Sequence, residues 1–407
     1  MHESQPGGRR HDIDALRVFA FGLLILYHVG MFYVPWDWHV KSAHQSEALE
    51  TLMLLVNQWR MPLLFMVSGL AVHFLWGKTS SGEFAWRRIT RLGVPLLFGM
   101  AVIVPPQAYF QALQNGSFSG GYGEFLLRYF TFQPWPDDAF DGSDIGITWN
   151  HLWYLPYLLF YTLAAIPLIA FFEGRGRLIR ERMLSLRSTW LVLAPLLPLM
   201  LWGAAVYPRF PYISHALLDD WYAHAMYFTF FFYGYLIGRN RGIWAELARI
   251  RRVTLALAIG SFALFLGANE IYPPEPNAAE TGGLLLVVYA NRWLWLLAVL
   301  GWGHALLNRP MRWLTYATEA VYPWYVLHQT ITVTAGYYLA RLSLGPIVEP
   351  VLLIAATLLG CLLIHEFVIR RSDLLRPLFG LKPRTESPVC DPVPVKPLSA
   401  AGTGSPR

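Results

Sequence analysis

Apolar residues occur in this chain as long runs, with the polar residues gathered into the stretches between them. Runs close to 20 residues fall at about 14–34, 52–76, 91–111, 151–172, 190–207, 221–238, 253–271, 283–307, 319–340 and 348–369. A helix rises about 1.5 Å per residue, so each run is long enough to cross a hydrocarbon layer about 30 Å thick. The pattern predicts an all-α polytopic membrane bundle of about 10 transmembrane helices. An even number of crossings places both termini on one side.

Basic residues give the bundle a direction. Arg9 and Arg10 precede the first run, and the even-numbered turns carry clusters: Lys78, Arg87, Arg88 and Arg91; Arg175 to Arg187; Arg239 to Arg252; Arg309 and Arg312. With the carboxyl-terminal segment this makes 25 on one face, against Lys41, Arg128, Arg209 and Arg341 on the other. The crowded face is expected to be cytoplasmic, in a multi-pass protein of the plasma (inner) membrane. Residues 1–11 then form a short cytoplasmic N-terminus and 12–372 the membrane domain. Residues 373–407, rich in Pro and Ser, read as a disordered cytoplasmic tail. The longest outer connection, roughly 112–150, sets Asp137, Asp138, Asp141 and Asp144 among aromatic residues. Such a loop is either a folded cap over the outer mouth or a solvated acidic segment.

Composition agrees. The 407 residues are 55% hydrophobic and 14% charged, too apolar for a water-facing globule. The net charge of +6 is accounted for by topology, which removes the argument for nucleic acid. Cys361 lies in an apolar run and Cys390 near the end, so there is neither a disulfide framework nor a metal-ligand set.

Ionisable groups inside the runs cost a few kcal/mol each and are functional candidates. In HDIDALRVFAFGLLILYH, Arg17 and His28 stand eleven positions apart, which puts them on one helical face about 16 Å from each other along the axis. Asp14 lies three positions before Arg17, close enough to pair with it. Arg17 near a helix end is equally suited to snorkelling toward headgroups. His28 is deeper, with the pKa range of a proton-transfer group.

The second run holds Arg60, Pro62, Ser68 and Gly69, a set suited to a lined cavity or to close helix packing. Arg88 and Arg91 fall one turn apart in RRITRLGVP, a phosphate clamp or simply part of the basic face. The ninth run adds Glu319, His328 and Gln329, and the eighth adds Arg292, a cation in want of an anionic partner. Glu319, like His73, His304 and His365, falls where an interfacial position is expected. His151, His215 and His224 lie near the outer rim, suited to contact with a sugar or, more simply, to surface placement.

These motifs, in this order, resemble the membrane-bound acyltransferase family 3, in particular the branch similar to glucan biosynthesis protein C. The likeness rests on D-I-D-A-L-R followed by ten residues and His, MPLLFMVSGL, RRITRLGVP, HLWYLPYLLFY and YPWYVLHQ, which together cover most of residues 11–370. The resemblance implies transfer of an acyl group, acetyl or succinyl in class, from a cytoplasmic donor such as acyl-CoA to a hydroxyl of an extracytoplasmic glycan or related acceptor. It implies catalytic roles for Arg17 and His28, supported by Asp14, and donor binding by Arg88 and Arg91. His328, Gln329, Arg292, Ser68 and Glu319 are the supporting or acceptor-side residues, with His328 or Arg292 as candidates to stabilise an oxyanion. His28 serves as general base or carries the acyl group; the sequence leaves both open. No permanently bound cofactor is expected, and acyl-CoA is a co-substrate. The competing reading is a transporter or flippase for an anionic or glycosylated solute.

Overall fold

The computed structural model describes residues 10–136, 138–238, 240–271 and 276–384. Among them there is no strand; the fold is an all-α bundle. Helix α1 is His11–Met31 and α2 is Glu47–Leu75. Helix α3, Ser81–Phe98, runs through a π-helical turn at Gly99–Ile103 into α4, Pro105–Gln114. Proline at 105 and 106 lacks the N–H that would continue the ladder, so the segment bends where α4 begins. Next come α5 (Tyr122–Tyr129), α6 (Tyr154–Glu173), α7 (Arg177–Leu184), α8 (Ser188–Leu193) and α9 (Leu196–Ala205). The chain continues with α10 (Trp221–Ile237), α11 (Arg241–Ile271), α12 (Ala278–Leu307), α13 (Leu314–Leu339) and α14 (Gly345–Ile364), and ends in the short α15 (Leu375–Leu378).

A helix or helix pair stands at every predicted apolar run. Seven of these are long and apolar enough to cross a membrane unaided. The other three runs are α2, α10 and α13, and the first two are heavily enclosed by other helices. Fourteen of the 17 residues of α10 are buried, as are Gln58 to Val67 in α2. Helices enclosed by others face protein rather than lipid, so they tolerate polar side chains and need less apolarity. The surrounding helices instead expose large apolar side chains such as Leu97, Leu264 and Val351, as a lipid-facing surface requires.

Helix directions follow from which residues meet. Along α1 and α13, Phe21 meets Tyr325, His28 meets His328 and Phe32 meets Gly336, so the two run parallel. Helices α2 and α10 are also parallel: Phe65 faces Tyr227, and His73 faces Tyr235. Their backbones nearly touch. A Cβ at Gly69 would lie 1.8 Å from the Phe231 carbonyl oxygen, and one at Gly234 would lie 1.9 Å from that of Met66. Small residues at both crossings make this approach sterically possible.

Two connections are compact. Within 115–149, α5 packs Phe125 and Tyr129 against Trp135, Ala139 and Phe140, a small apolar core that also takes in Ala108 and Ala112 of α4. That favours the folded cap over the solvated loop; Asp137 lies outside the described residues. The 32–46 segment is tied by Lys41, whose Nζ donates to the carbonyls of Met31, Val34 and Trp36. Ser42 Oγ donates to Glu349 Oε1 at 2.6 Å, which pins the same segment to α14. At the far end, ordered chain continues past the expected boundary at 372. Phe379 is buried edge-on to Phe98, and Arg376 Nη1 lies 3.6 Å from Glu319. The remainder of the expected tail, from 385, lies outside the described residues.

Candidate active site

Helix α1 carries two polar stations. The first is near its start. Arg17 lies deep among protein atoms yet keeps accessible surface, as a side chain lining an internal space does. Arg91 and Asp14 act on it electrostatically, as do Tyr154 and Tyr322. Arg88 feels the same arginines and the same two tyrosines. Three guanidiniums from α1 and α3 therefore converge, with Arg91 exposed, Arg17 half-buried and Arg88 only 8% exposed. Their repulsion is opposed on the Arg17 side by Asp14. Such a cluster suits a multiply charged anion, since arginine engages phosphate oxygens in pairs.

The tyrosines shape this station. Tyr322 OH donates to the Arg91 carbonyl at 3.3 Å. Tyr154 OH donates to the Leu64 carbonyl at 3.1 Å, so the 2.5 Å contact with Ser68 Oγ has serine as donor. Ser68 thus acts by holding Tyr154 beside the arginines.

The second station is His28. Helix α1 is uninterrupted between the two, so the eleven-residue spacing keeps them about 16 Å apart. His28 Nδ1 lies 2.7 Å from His328 Nε2, and the rings are nearly parallel with centroids 5.0 Å apart. Proton positions follow from the neighbours. His328 Nδ1 is 2.7 Å from the Tyr325 carbonyl and 3.1 Å from that of Trp324, and carbonyls only accept. His328 therefore carries its proton on Nδ1, and its Nε2 accepts from His28 Nδ1–H. The lone pair of His28 is left on Nε2, for which no hydrogen-bond partner exists among the described residues. His28 also retains accessible surface, while His328 is wholly buried.

Around this pair lies a buried polar network. His151 meets the His328 ring edge-on at 5.1 Å, and its Nε2 lies 3.2 Å from the Val326 carbonyl. Gln329 bridges His39 Nε2 at 2.8 Å and Gln107 Oε1 at 3.0 Å. His39 Nδ1 contacts Gln111 Oε1 at 2.7 Å, and Asp141 of the 115–149 cap lies 3.5 Å from the same nitrogen. Among the described residues no three His, Cys, Asp or Glu side chains are placed to share a metal ion.

Of the residues singled out in the sequence, Arg17, Asp14, Arg88, Arg91 and Ser68 gather at the first station, and His28, His328 and Gln329 at the second. Two stand apart. Glu319 ion-pairs with Arg370 at 3.1 Å, in a cluster with Glu366 and Arg376. Arg292 Nη1 lies 2.7 Å from Met226 Sδ and acts electrostatically on Tyr227 and Tyr289, whereas His328 and then Arg60 are the strongest charges acting on His28.

Sequence reasoning missed His39 and misplaced His151. His151, expected at the surface, is 5% exposed. The preceding Asn150 takes a left-handed backbone, φ 41°, which asparagine tolerates, and the 3-10 turn that follows enters α6. The only signal was the place of His151 in HLWYLPYLLFY. His224, also expected at the rim, is buried between Tyr161 and the Leu217 carbonyl, and His215 stacks on Trp153. His365 is likewise buried.

Comparison with known proteins points one way. The family model described as "Acyltransferase domain" matches residues 10–366. Similar curated relatives are proteins named "Glucans biosynthesis protein C" from Salmonella paratyphi B (strain ATCC BAA-1250 / SPB7), Salmonella agona (strain SL483) and Salmonella enteritidis PT4 (strain P125109). Each is 25% identical over 354 residues, covering 83% of this chain and 85% of the relative. No solved structure gives a significant match.

Proposed function

The chain belongs to the membrane-bound acyltransferase family 3 and is a multi-pass membrane acyltransferase; from that premise we propose that it moves an acetyl- or succinyl-class acyl group from acyl-CoA at the cytoplasmic face of the plasma (inner) membrane to a hydroxyl of an extracytoplasmic glycan. The relatives' name makes a glucan the first acceptor to test. The observation that carries the reading is the two-station helix α1: a three-arginine cluster at one depth and, about 16 Å further along, an imidazole with a fixed basic nitrogen. The stations match the two ends of a CoA thioester, phosphates at one and a reactive carbonyl on a long arm at the other.

Arg88, Arg91 and Arg17 hold the CoA phosphates, with Asp14 limiting repulsion at Arg17. The acyl arm extends along α1 toward His28. His28 Nε2 takes the proton of the acceptor hydroxyl as its oxygen attacks the thioester carbon, and returns it to the departing thiolate. His328 fixes the tautomer that leaves Nε2 unprotonated. The His28 ring, held at Nδ1 by the lone pair of His328, presents Nε2 ready oriented for this proton transfer. The polar network from Gln329 to His39 leads toward the cap and is the route by which a hydroxyl-rich acceptor approaches.

Purified protein in vesicles, given labelled acyl-CoA on one side and glucan on the other, tests this. A glucan heavier by the acyl mass is the expected product. Passage of solute without covalent change supports a carrier instead.

A further inference from the structure

The chemistry above leaves one buried cation unused. Arg60, on helix α2, is 8% exposed, and its Nε and Nη1 are enclosed with no hydrogen-bond partner. Its guanidinium stacks on the Tyr27 ring, Cζ 3.4 Å from the centroid. No Asp or Glu among the described residues forms an ion pair with it; the groups opposing its charge are the tyrosines Tyr27 and Tyr227. A cation–π contact offsets only part of the cost of a charge held inside a membrane protein. A guanidinium with unsatisfied N–H groups and no counter-ion among the described residues is suited to negative charge that arrives from outside the chain.

Its location says which charge. Tyr27, on which Arg60 stacks, is the residue before His28, and Arg60 acts on His28 electrostatically. We propose that Arg60 is a catalytic residue that stabilises the oxyanion formed on the thioester carbonyl. This rests on His28 acting as the base of acyl transfer. As the acceptor oxygen bonds to the carbonyl carbon and its proton passes to His28 Nε2, the carbonyl π pair moves onto oxygen. That oxyanion lies against the Arg60 N–H groups. It collapses when the C=O re-forms and the C–S bond breaks, and the leaving thiolate takes the proton from His28. A donor fixed in place before the charge develops needs no reorganisation, which is where such groups gain their effect. Tyr27 supplies the fixing, since a stacked guanidinium keeps its plane.

The test compares wild type, Arg60→Gln, Arg60→Lys and His28→Ala in the vesicle assay, with acetyl-CoA and succinyl-CoA as donors and folding checked by melting temperature. Arg60→Gln is expected to lower kcat about 10²-fold to 10³-fold, equally for both donors, with KM for the donor within about threefold. Arg60→Lys keeps the charge but not the planar fork, so it recovers part of the rate; should Arg60→Gln not fold, Arg60→Lys still shows about a tenfold loss in kcat with KM unchanged. Wild-type kcat in either variant overturns the proposal. So does a loss confined to succinyl-CoA, which would make Arg60 a receptor for the distal carboxylate. A wild type that transfers no acyl group at all refutes the acyltransfer chemistry itself, whereas a dead His28→Ala beside a fully active Arg60→Gln refutes only the role of Arg60.

Discussion

His28 donates from Nδ1 to His328 Nε2 across 2.7 Å, and the direction of that bond is dictated by the Tyr325 carbonyl on the far side of His328. His328 is thereby a positioning residue, since it sets which nitrogen of His28 is basic. His328→Phe, which removes the acceptor, is expected to lower kcat about 10²-fold with the donor KM little changed. His328→Gln, which can still accept through Oε1, recovers part of the rate. Equal damage from both variants in steady-state assays would count against the tautomer argument.

The arginine cluster has a different signature. Arg88→Gln removes a buried guanidinium that shares its surroundings with Arg17 and Arg91. Loss of a charge-assisted contact to phosphate is worth about 1.5–3 kcal/mol, so the donor KM should rise about tenfold to a hundredfold with kcat nearly intact. A change in kcat alone would place Arg88 elsewhere in the chemistry. Acyl-CoA titrations on purified protein read the difference.

Packing at the α2–α10 crossing gives a prediction independent of catalysis. A side chain at Gly69 collides with the Phe231 backbone rather than with a movable side-chain tip. Gly69→Val is expected to cost at least about 3 kcal/mol, the upper range of overpacking, and to abolish a monodisperse peak in size-exclusion chromatography. Gly82, with nothing near its Cβ position, should accept alanine without effect.

His215, outside the membrane-spanning segments, is one identifiable source of acid sensitivity. Burial and then Arg60 hold the His215 imidazole down to about 4, against the opposing pull of Asp141. Unfolded chain takes up that proton near pH 6.5 while the folded protein does not. Stability from this group is therefore complete above pH 6.5 and is lost as pH falls toward about 4. His215→Phe keeps the stack on Trp153 and should shrink the drop in melting temperature between pH 7 and pH 4.5. An unchanged drop would show that other groups account for it.

Much of this was legible in the sequence because lipid imposes a simple rule. Each predicted run became a helix or a helix pair, and α1, expected over 14–34, is found at His11–Met31. Helical periodicity alone placed Arg17 and His28 on one face. What periodicity cannot give is which helices meet. The alternation of spans already sends α13 the same way as α1, but nothing in the order of residues says that the two are neighbours, and so that His328 rather than another deep polar group meets His28. The same ignorance hid His39, which reaches the site only because Lys41 and Ser42 tie its loop to carbonyls and to Glu349. His151 was hidden by a left-handed residue before it, a backbone choice with no hydropathy signature. Arg60 and Arg292 looked alike as buried cations, and only the packing of α2 against α1 set the first beside the base.

The most direct measurement is the rate of acyl transfer by His28→Ala in vesicles. The variant should insert and melt as wild type does, bind acyl-CoA with unchanged affinity, and transfer the acyl group at least 10²-fold more slowly. A variant that transfers acyl groups at the wild-type rate would contradict the account.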